Sequence, residues 1–211
     1  MNIHTFTVNP LQENTYLVSR DNRGFVVDPG FFSATEIDLF NRKVSELGVR
    51  LEAIVLTHAH LDHVFGVERV RNHYGEIPVY LHRDDAWFWD NYMLSAARFG
   101  FEVKPFGFQP DWIDGGEVEF AGIGLKALLT PGHAPGHLAY YHPESGQLLS
   151  GDALFRESIG RTDLPMGNFE QLEASIKTNL YTLPEGTVVY PGHGPATTIG
   201  HEKKHNPFVR Y

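Results

Sequence analysis

Apolar and polar residues alternate along much of the first thirty positions, and a period of two predicts strands. Ile3 to Val8, Thr15 to Ser19 and Gly24 to Asp28 carry the alternating or β-branched residues, with breaks at Asn9-Pro10 and Asp21-Asn22-Arg23-Gly24. They read as a β-meander closed by the turn Asp28-Pro29-Gly30. The period then lengthens. Ser33 stands where an N-cap would, Glu36 follows three residues on, and Ile37, Phe40, Val44 and Leu47 recur at helical spacing up to Gly48. Ala53-Ile54-Val55-Leu56 is too short an apolar run for a helix and reads as a buried strand. Val64, Val67 and Val70 suggest a helix to about Tyr74, and Ile77 to Leu81 a short strand. Asp84 to Phe99 reads as a helix rich in aromatics, and residues 100 to 115 as a loop.

The pattern then starts again. Glu117 to Ala121, Leu125 to Thr130, Leu138 to His142 and Gln147 to Ser150 are strand candidates. Phe169 to Leu180 forms an amphipathic helix with Leu172, Ile176 and Leu180 on one side. Thr187 to Tyr190 is a last buried strand, and Ile199 to His205 a short helix stopped by Asn206-Pro207. The order is β-meander, α/β, β-meander, α/β. It predicts sheets with helices on their outer faces, a layered α/β sandwich, as one domain over residues 1–211.

Composition changes this picture little. The chain is 42% hydrophobic and 20% charged, ordinary for a globular enzyme. Seventeen basic against twenty-six acidic side chains give a net charge of −9, which argues against a nucleic-acid or anionic-membrane partner. The absence of cysteine excludes disulfides, thiolate metal sites and a cysteine nucleophile. The start, Met1-Asn2-Ile3-His4-Thr5-Phe6, lacks the basic and apolar regions of a signal peptide, so a cytoplasmic protein is expected.

The chemistry concentrates in Thr57-His58-Ala59-His60-Leu61-Asp62-His63, directly after the apolar run at 53–56. Three imidazoles and a carboxylate suit zinc, iron or manganese. His58 and His60, two apart in an extended segment, point the same way and can grip one ion; Asp62 and His63 can face the other side of the same loop. Three further apolar runs end alike. Leu128-Leu129-Thr130 leads into Pro131-Gly132-His133, Leu148-Leu149-Ser150 into Gly151-Asp152, and Val188-Val189-Tyr190 into Pro191-Gly192-His193. One histidine or aspartate after a turn is usually structural. The same ending repeated beside the 58–63 cluster points to seven ligands, His58, His60, Asp62, His63, His133, Asp152 and His193, enough for two ions sharing a carboxylate.

This set resembles the metallo-β-lactamase superfamily from Asp28 through His193. The resemblance implies a four-layer αββα sandwich. By position, His58, His60 and His133 would hold the first metal, Asp62, His63 and His193 the second, and Asp152 would bridge. Asp62 and Asp152 would then be the catalytic carboxylates beside a metal-bound hydroxide, and Asp28 a support near the site. Thr130-Pro131-Gly132-His133-Ala134-Pro135-Gly136-His137, Ser150-Gly151-Asp152-Ala153-Leu154-Phe155 and Pro191-Gly192-His193-Gly194 look most like the glyoxalase II branch, the hydroxyacylglutathione hydrolases. Ile159-Gly160-Arg161-Thr162-Asp163 resembles its short bacterial subgroup. That branch implies hydrolysis of S-lactoylglutathione or a related hydroxyacyl thioester. Zinc is the first choice of metal, with iron or manganese as alternatives. The longer enzymes carry a C-terminal helical region that grips glutathione; this chain ends at Tyr211, and the region is expected to be missing. Arg161 and Phe31 are candidates for contact with substrate, and His137 for support of a ligand. A mononuclear iron persulfide dioxygenase of the same fold is the nearest rival, ahead of a metal-dependent nuclease and a non-catalytic binding module.

Overall fold

The alternating start builds β1 (Asn2–Val8), β2 (Glu13–Arg20) and β3 (Arg23–Val27), paired antiparallel in sequence order. The computed structural model describes all 211 residues. They form two compact units, one of Met1–Ile113 with Glu119–Ile123, the other of Asp114–Val118 with Gly124–Tyr211.

In the first unit β3 is followed by α1 (Ala34–Glu46), which starts with the capping box legible in the sequence. Ser33 Oγ accepts from Glu36 N–H, and the Glu36 carboxylate accepts from Ser33 N–H at 2.8 Å. The inward face of α1 carries Phe40 and Val44, and Phe40 packs on Phe31 and Phe6 at ring distances of 4.9 and 5.5 Å. Then come β4 (Arg50–Val55), α2 (Leu61–Val64), α3 (Val67–His73) and β5 (Val79–His82). After a 3₁₀ turn at Arg83–Asp85 follow α4 (Ala86–Asp90), α5 (Tyr92–Arg98) and β6 (Asp111–Ile113). The sheet order is β1-β2-β3-β4-β5-β6, and β3 to β6 run parallel. Their carboxyl ends therefore share one edge, the edge at which α/β sheets bind ligands. β3 delivers Asp28 there, β4 delivers Thr57 and His58, and β5 delivers Asp85.

Three local expectations need correction. Asp62 and His63 lie on α2, not on a loop: the helix begins at Leu61 with His60 as its N-cap. The helix expected over 84–99 is broken at Asn91, which ends α4 and starts α5 with non-helical angles. The loop expected over 100–115 contains β6, whose residues pair with Tyr80, Leu81 and His82. Three residues carry no readable period, so only the partner strand defines β6.

Apart from Glu119–Ile123, which fall to the first unit, the second unit contains β7 (Gly116–Phe120), β8 (Ile123–Leu129), β9 (Leu138–His142), β10 (Gln147–Gly151), β13 (Val188–Pro191) and β14 (Thr197–Thr198), in a sheet of order β14-β13-β10-β9-β8-β7. A small hairpin, β11 (Leu154–Phe155) and β12 (Ser158–Ile159), precedes α6 (Phe169–Ser175). One π turn at Ile176–Leu180 continues α6, and α7 (Ile199–His205) follows β14. Leu172, Ile176 and Leu180 enter a core with Leu148, Leu154, Val189 and Ile199, as their spacing predicts. β8 and β10 are each antiparallel to β9, and β10 is parallel to β13. β8, β10 and β13 thus run the same way, and the turns that follow them emerge at one edge. No helix is long and apolar enough to cross a membrane.

Candidate metal centre

The first unit gathers five of the expected residues. His58 and His63 are fully buried, and His60 and Asp62 nearly so. The His58 ring lies 4.7 Å from that of His60 and 4.1 Å from that of His63. Asp28 organises this cluster. One carboxylate oxygen accepts from Thr57 N–H at 2.7 Å; the other accepts from the Thr57 hydroxyl at 2.6 Å and faces His63 Nδ1 at 3.0 Å. A carboxylate only accepts, so His63 donates through Nδ1 and its Nε2 carries the lone pair that can ligate a cation. Thr57 Oγ, its proton given to Asp28, accepts from His58 Nδ1 at 3.0 Å, which sets the same tautomer there. Asp28 adopts a positive φ of 47°, a strained region that Asp tolerates better than most residues.

Other partners were not legible in the sequence. Asp85, fully buried, accepts from Ala59 N–H at 2.8 Å and fixes the backbone between His58 and His60. Asn9 donates to the carbonyls of Gly30 and Asp62, both at 3.0 Å, tying α2 to the turn that carries Asp28. A side chain at Gly30 would collide with the Asp62 carbonyl and the Glu13 carboxylate. Burial pushes the Glu13 carboxyl well above the usual carboxylate range, opposed by the neighbouring His63. Their common signal is weak: a polar residue inside an otherwise apolar strand or beside a turn.

Phe31 is fully buried between Phe6 and Phe40, so its ring packs in the core rather than on an open surface.

The second unit gathers the other four. Asp152 Oδ2 lies 3.4 Å from His133 Nε2 and 3.6 Å from His193 Nε2. His133 donates Nδ1–H to the Arg161 carbonyl at 2.7 Å, so its Nε2 is again the ligating atom. His137 is different. Its Nε2 accepts from the Asp152 N–H at 2.9 Å, and its Nδ1 meets Thr130 Oγ at 2.7 Å. Both nitrogens are used, so this buried ring supports the Asp152 turn and is no ligand. The His133 turn is fastened to α6: Gly132 has φ 130°, a Cβ there would strike the Leu172 backbone, and Gly132 O accepts from Asn168 N–H at 2.7 Å. Nothing in the sequence pattern marks Gly160 as part of the site. A Cβ there would meet the Asp152 carbonyl and come within 3.0 Å of His133 Cγ. The Arg161 side chain is exposed and forms a bidentate pair with Asp163 at 2.7 and 2.8 Å.

The donor set fits a divalent cation. It is imidazole and carboxylate without thiolate, and His58, His63 and His133 are each oriented by a hydrogen bond through Nδ1, the arrangement of metal-bound histidines. Within the first unit, Asp28, His58 and His63 offer ligand atoms within 4.8 Å of one another. Asp28 uses its oxygens on Thr57 and the Nδ1 side of His63, which makes it a support.

Comparison with known proteins agrees with this chemistry. The metallo-beta-lactamase superfamily profile matches residues 8–193. "Probable metallo-hydrolase YqgX" of Bacillus subtilis is 41% identical, over 96% of this chain and 94% of its own length. "Hydroxyacylglutathione hydrolase GloC" of Haemophilus influenzae is 35% identical, over 99% and 98%. Among solved structures, TTHA1623 in a di-iron-bound form superposes with a TM-score of 0.87 and 40% identity, covering 98% of this chain and 100% of its own. The BLEG-1 B3 metallo-beta-lactamase gives 0.87 and 35%, over 99% of both chains.

Proposed function

Because this chain belongs to the metallo-β-lactamase superfamily, as a metallo-hydrolase with that fold, we propose that it is a thioesterase acting on S-lactoylglutathione or a related hydroxyacyl thioester. The observation that carries this reading is the end-to-end similarity to a hydroxyacylglutathione hydrolase. It is supported by the retention of all seven ligand-type residues, in settings suited to cations.

In this reading His58, His60 and His133 would hold one ion and Asp62, His63 and His193 a second, with Asp152 as the carboxylate they would share. Bound cations supply two effects: they lower the pKa of water towards neutrality and polarise a carbonyl. The protein's own groups keep the ligands in their reactive form. Asp28 and Thr57 hold His58 and His63 with Nε2 unprotonated, the Arg161 carbonyl does so for His133, and His137 positions Asp152 through its backbone. Hydrolysis forms a bond from a water oxygen to the thioester carbonyl carbon and breaks the C–S bond. A carboxylate, a thiol and a proton are released. Thiolate is a good leaving group, so a dedicated general acid is not required.

A second reading is a mononuclear iron persulfide dioxygenase; the di-iron-bound form of TTHA1623 supports only that an imidazole–carboxylate site of this kind accepts iron. One experiment separates the readings. Metals are measured in protein purified without added metal, and S-lactoylglutathione, glutathione persulfide with oxygen uptake, and a chromogenic cephalosporin are assayed side by side. The proposal expects about two divalent ions per chain and thioester hydrolysis well above the other two rates. Oxygen consumption with persulfide, or faster turnover of the β-lactam, overturns it.

A further inference from the structure

Gly160 to Asn168 lead from β12 to α6 without forming helix or strand. Both ends of this segment are fixed. At its start, Gly160 lies so close to the Asp152 turn that a Cβ would strike the Asp152 carbonyl. At its end, Asn168 N–H donates to the Gly132 carbonyl at 2.7 Å, and Asn168 Oδ1 caps α6 by accepting from Gln171 N–H at 2.8 Å. Just before Asn168, Gly167 N–H closes a turn on the Leu164 carbonyl at 2.9 Å, and Met166 in that turn has a positive φ of 65°.

Residues 161 to 163 lie between these anchors. What ties their backbone to another segment is the Arg161 carbonyl, which accepts from His133 Nδ1 at 2.7 Å. A peptide plane is rigid, but the φ and ψ on either side of it are soft, so rotation of one plane is enough to lose that acceptor. The plane in question joins Arg161 to Thr162.

The neighbouring side chains bridge it. Arg161 Nε and Nη2 donate to the two Asp163 carboxylate oxygens at 2.7 and 2.8 Å. The contact is bidentate, so it fixes orientation as well as distance. It joins the residues on either side of Thr162 and spans both intervening peptides, and rotation of either plane changes the separation of the two stems. Both side chains are exposed, so the pair adds little to global stability. Its effect is local, on the conformation that presents the acceptor.

We propose that the Arg161–Asp163 pair positions His133: it holds the 161–162 peptide with its carbonyl on His133 Nδ1, and so keeps Nε2 as the ligating atom beside Asp152. Arg161 is then a positioning residue and not a substrate contact. The inference rests on the reading of His133 as a metal ligand, but its first test needs no metal.

Proton–nitrogen NMR of the full-length, metal-free protein reads the His133 Nδ1–H signal, identified by its loss in His133→Gln. Its exchange with solvent reports how often the acceptor swings away. Arg161→Ala and Asp163→Ala are each expected to speed this exchange about two- to fivefold, the range for an exposed ion pair. The double variant should exchange no faster than either single one, because both remove the same contact. The swap Arg161→Asp with Asp163→Arg rebuilds the pair and should restore protection. Metal affinity, measured by competition with a chromogenic chelator, should weaken by the same factor at most and equally in the two single variants, while KM for S-lactoylglutathione keeps the parent value. Unaltered exchange in either single variant overturns the proposal. So does a rise in KM confined to Arg161→Ala, which would make the guanidinium a substrate contact. A parent protein that binds no metal would end the reading of His133 as a ligand, and the exchange rates would still decide whether the pair positions its ring.

Discussion

The two ligand-bearing regions reach similar chemistry by different routes. In the first unit the candidate ligands are almost contiguous, from His58 to His63, and a charged side chain outside the segment, Asp28, orients them. In the second unit, His133, Asp152 and His193 come from three separate strand ends. There the orienting partners are mostly backbone groups: the Arg161 carbonyl on His133 and the Asp152 amide on His137. Charge-assisted hydrogen bonds contribute more than neutral ones, and backbone partners cannot be removed by substitution. The first region should therefore be sensitive at its supporting side chains, and the second at the ligands themselves and at its close backbone approaches.

The largest effect is expected at Asp152, on which the second region converges. Asp152→Asn keeps the shape but replaces an ionised oxygen that faces both His133 and His193. Metal content and turnover should fall together, turnover by more than about a hundredfold, since even partners of ligands typically cost 10–100-fold. Atomic absorption and thioester kinetics on the same preparation check this. Unchanged occupancy and rate would end the bridging assignment.

Asp28→Asn addresses the first region in the same way. The amide can accept from Thr57 N–H, but its NH2 then faces Thr57 Oγ and His63 Nδ1, where donors already point. Metal affinity should drop by about 10–100-fold, and stability by about 1–3 kcal/mol. Competition with a chromogenic chelator and urea denaturation read the two separately. If neither changes, the contrast between the regions is wrong.

How much of this was legible in the sequence follows the same division. The 58–63 cluster was readable because all its donors lie on one short segment after a buried run. His133, Asp152 and His193 were readable because each apolar run ends in a glycine turn and one donor. Support was mostly not. Asp85 acts 26 residues from Ala59, and Asn9 acts 53 residues from Asp62, distances at which no periodicity carries information. Phe31 and Phe32 show another limit. Neighbours in an extended segment face opposite ways, so one is core and the other exposed, and the composition of the pair does not say which. The helix start at Leu61 was hidden because the ligand residues themselves occupy its first turn.

Glycine substitutions sharpen the comparison at smaller amplitude. Gly160→Ala would press on the Asp152 carbonyl and the His133 ring, and Gly30→Ala on the Asp62 carbonyl and the Glu13 carboxylate. Each should cost about 1–3 kcal/mol of stability through overpacking. Gly160→Ala should also lower metal affinity, because the obstructed atoms belong to a ligand and to the turn carrying one. Chemical denaturation with metal titration checks both; two variants as stable as the parent would mean that the turns yield freely.

The smallest contrast lies in two threonines that play parallel parts. Thr57 gives its hydroxyl proton to the Asp28 carboxylate, whereas Thr130 Oγ meets His137 Nδ1 and lies 3.4 Å from the His137 carbonyl. Valine is nearly isosteric but removes the hydroxyl in both. Thr57→Val breaks a charge-assisted bond and leaves His58 Nδ1 without its acceptor, so a loss of about 1.5–3 kcal/mol is expected. Thr130→Val breaks neutral bonds only, and about 0.5–1.5 kcal/mol is expected. Urea unfolding of the two variants under identical metal-free conditions gives the difference directly. A larger loss at Thr130 than at Thr57 would show that the second region depends on its side-chain hydrogen bonds more than on its backbone partners.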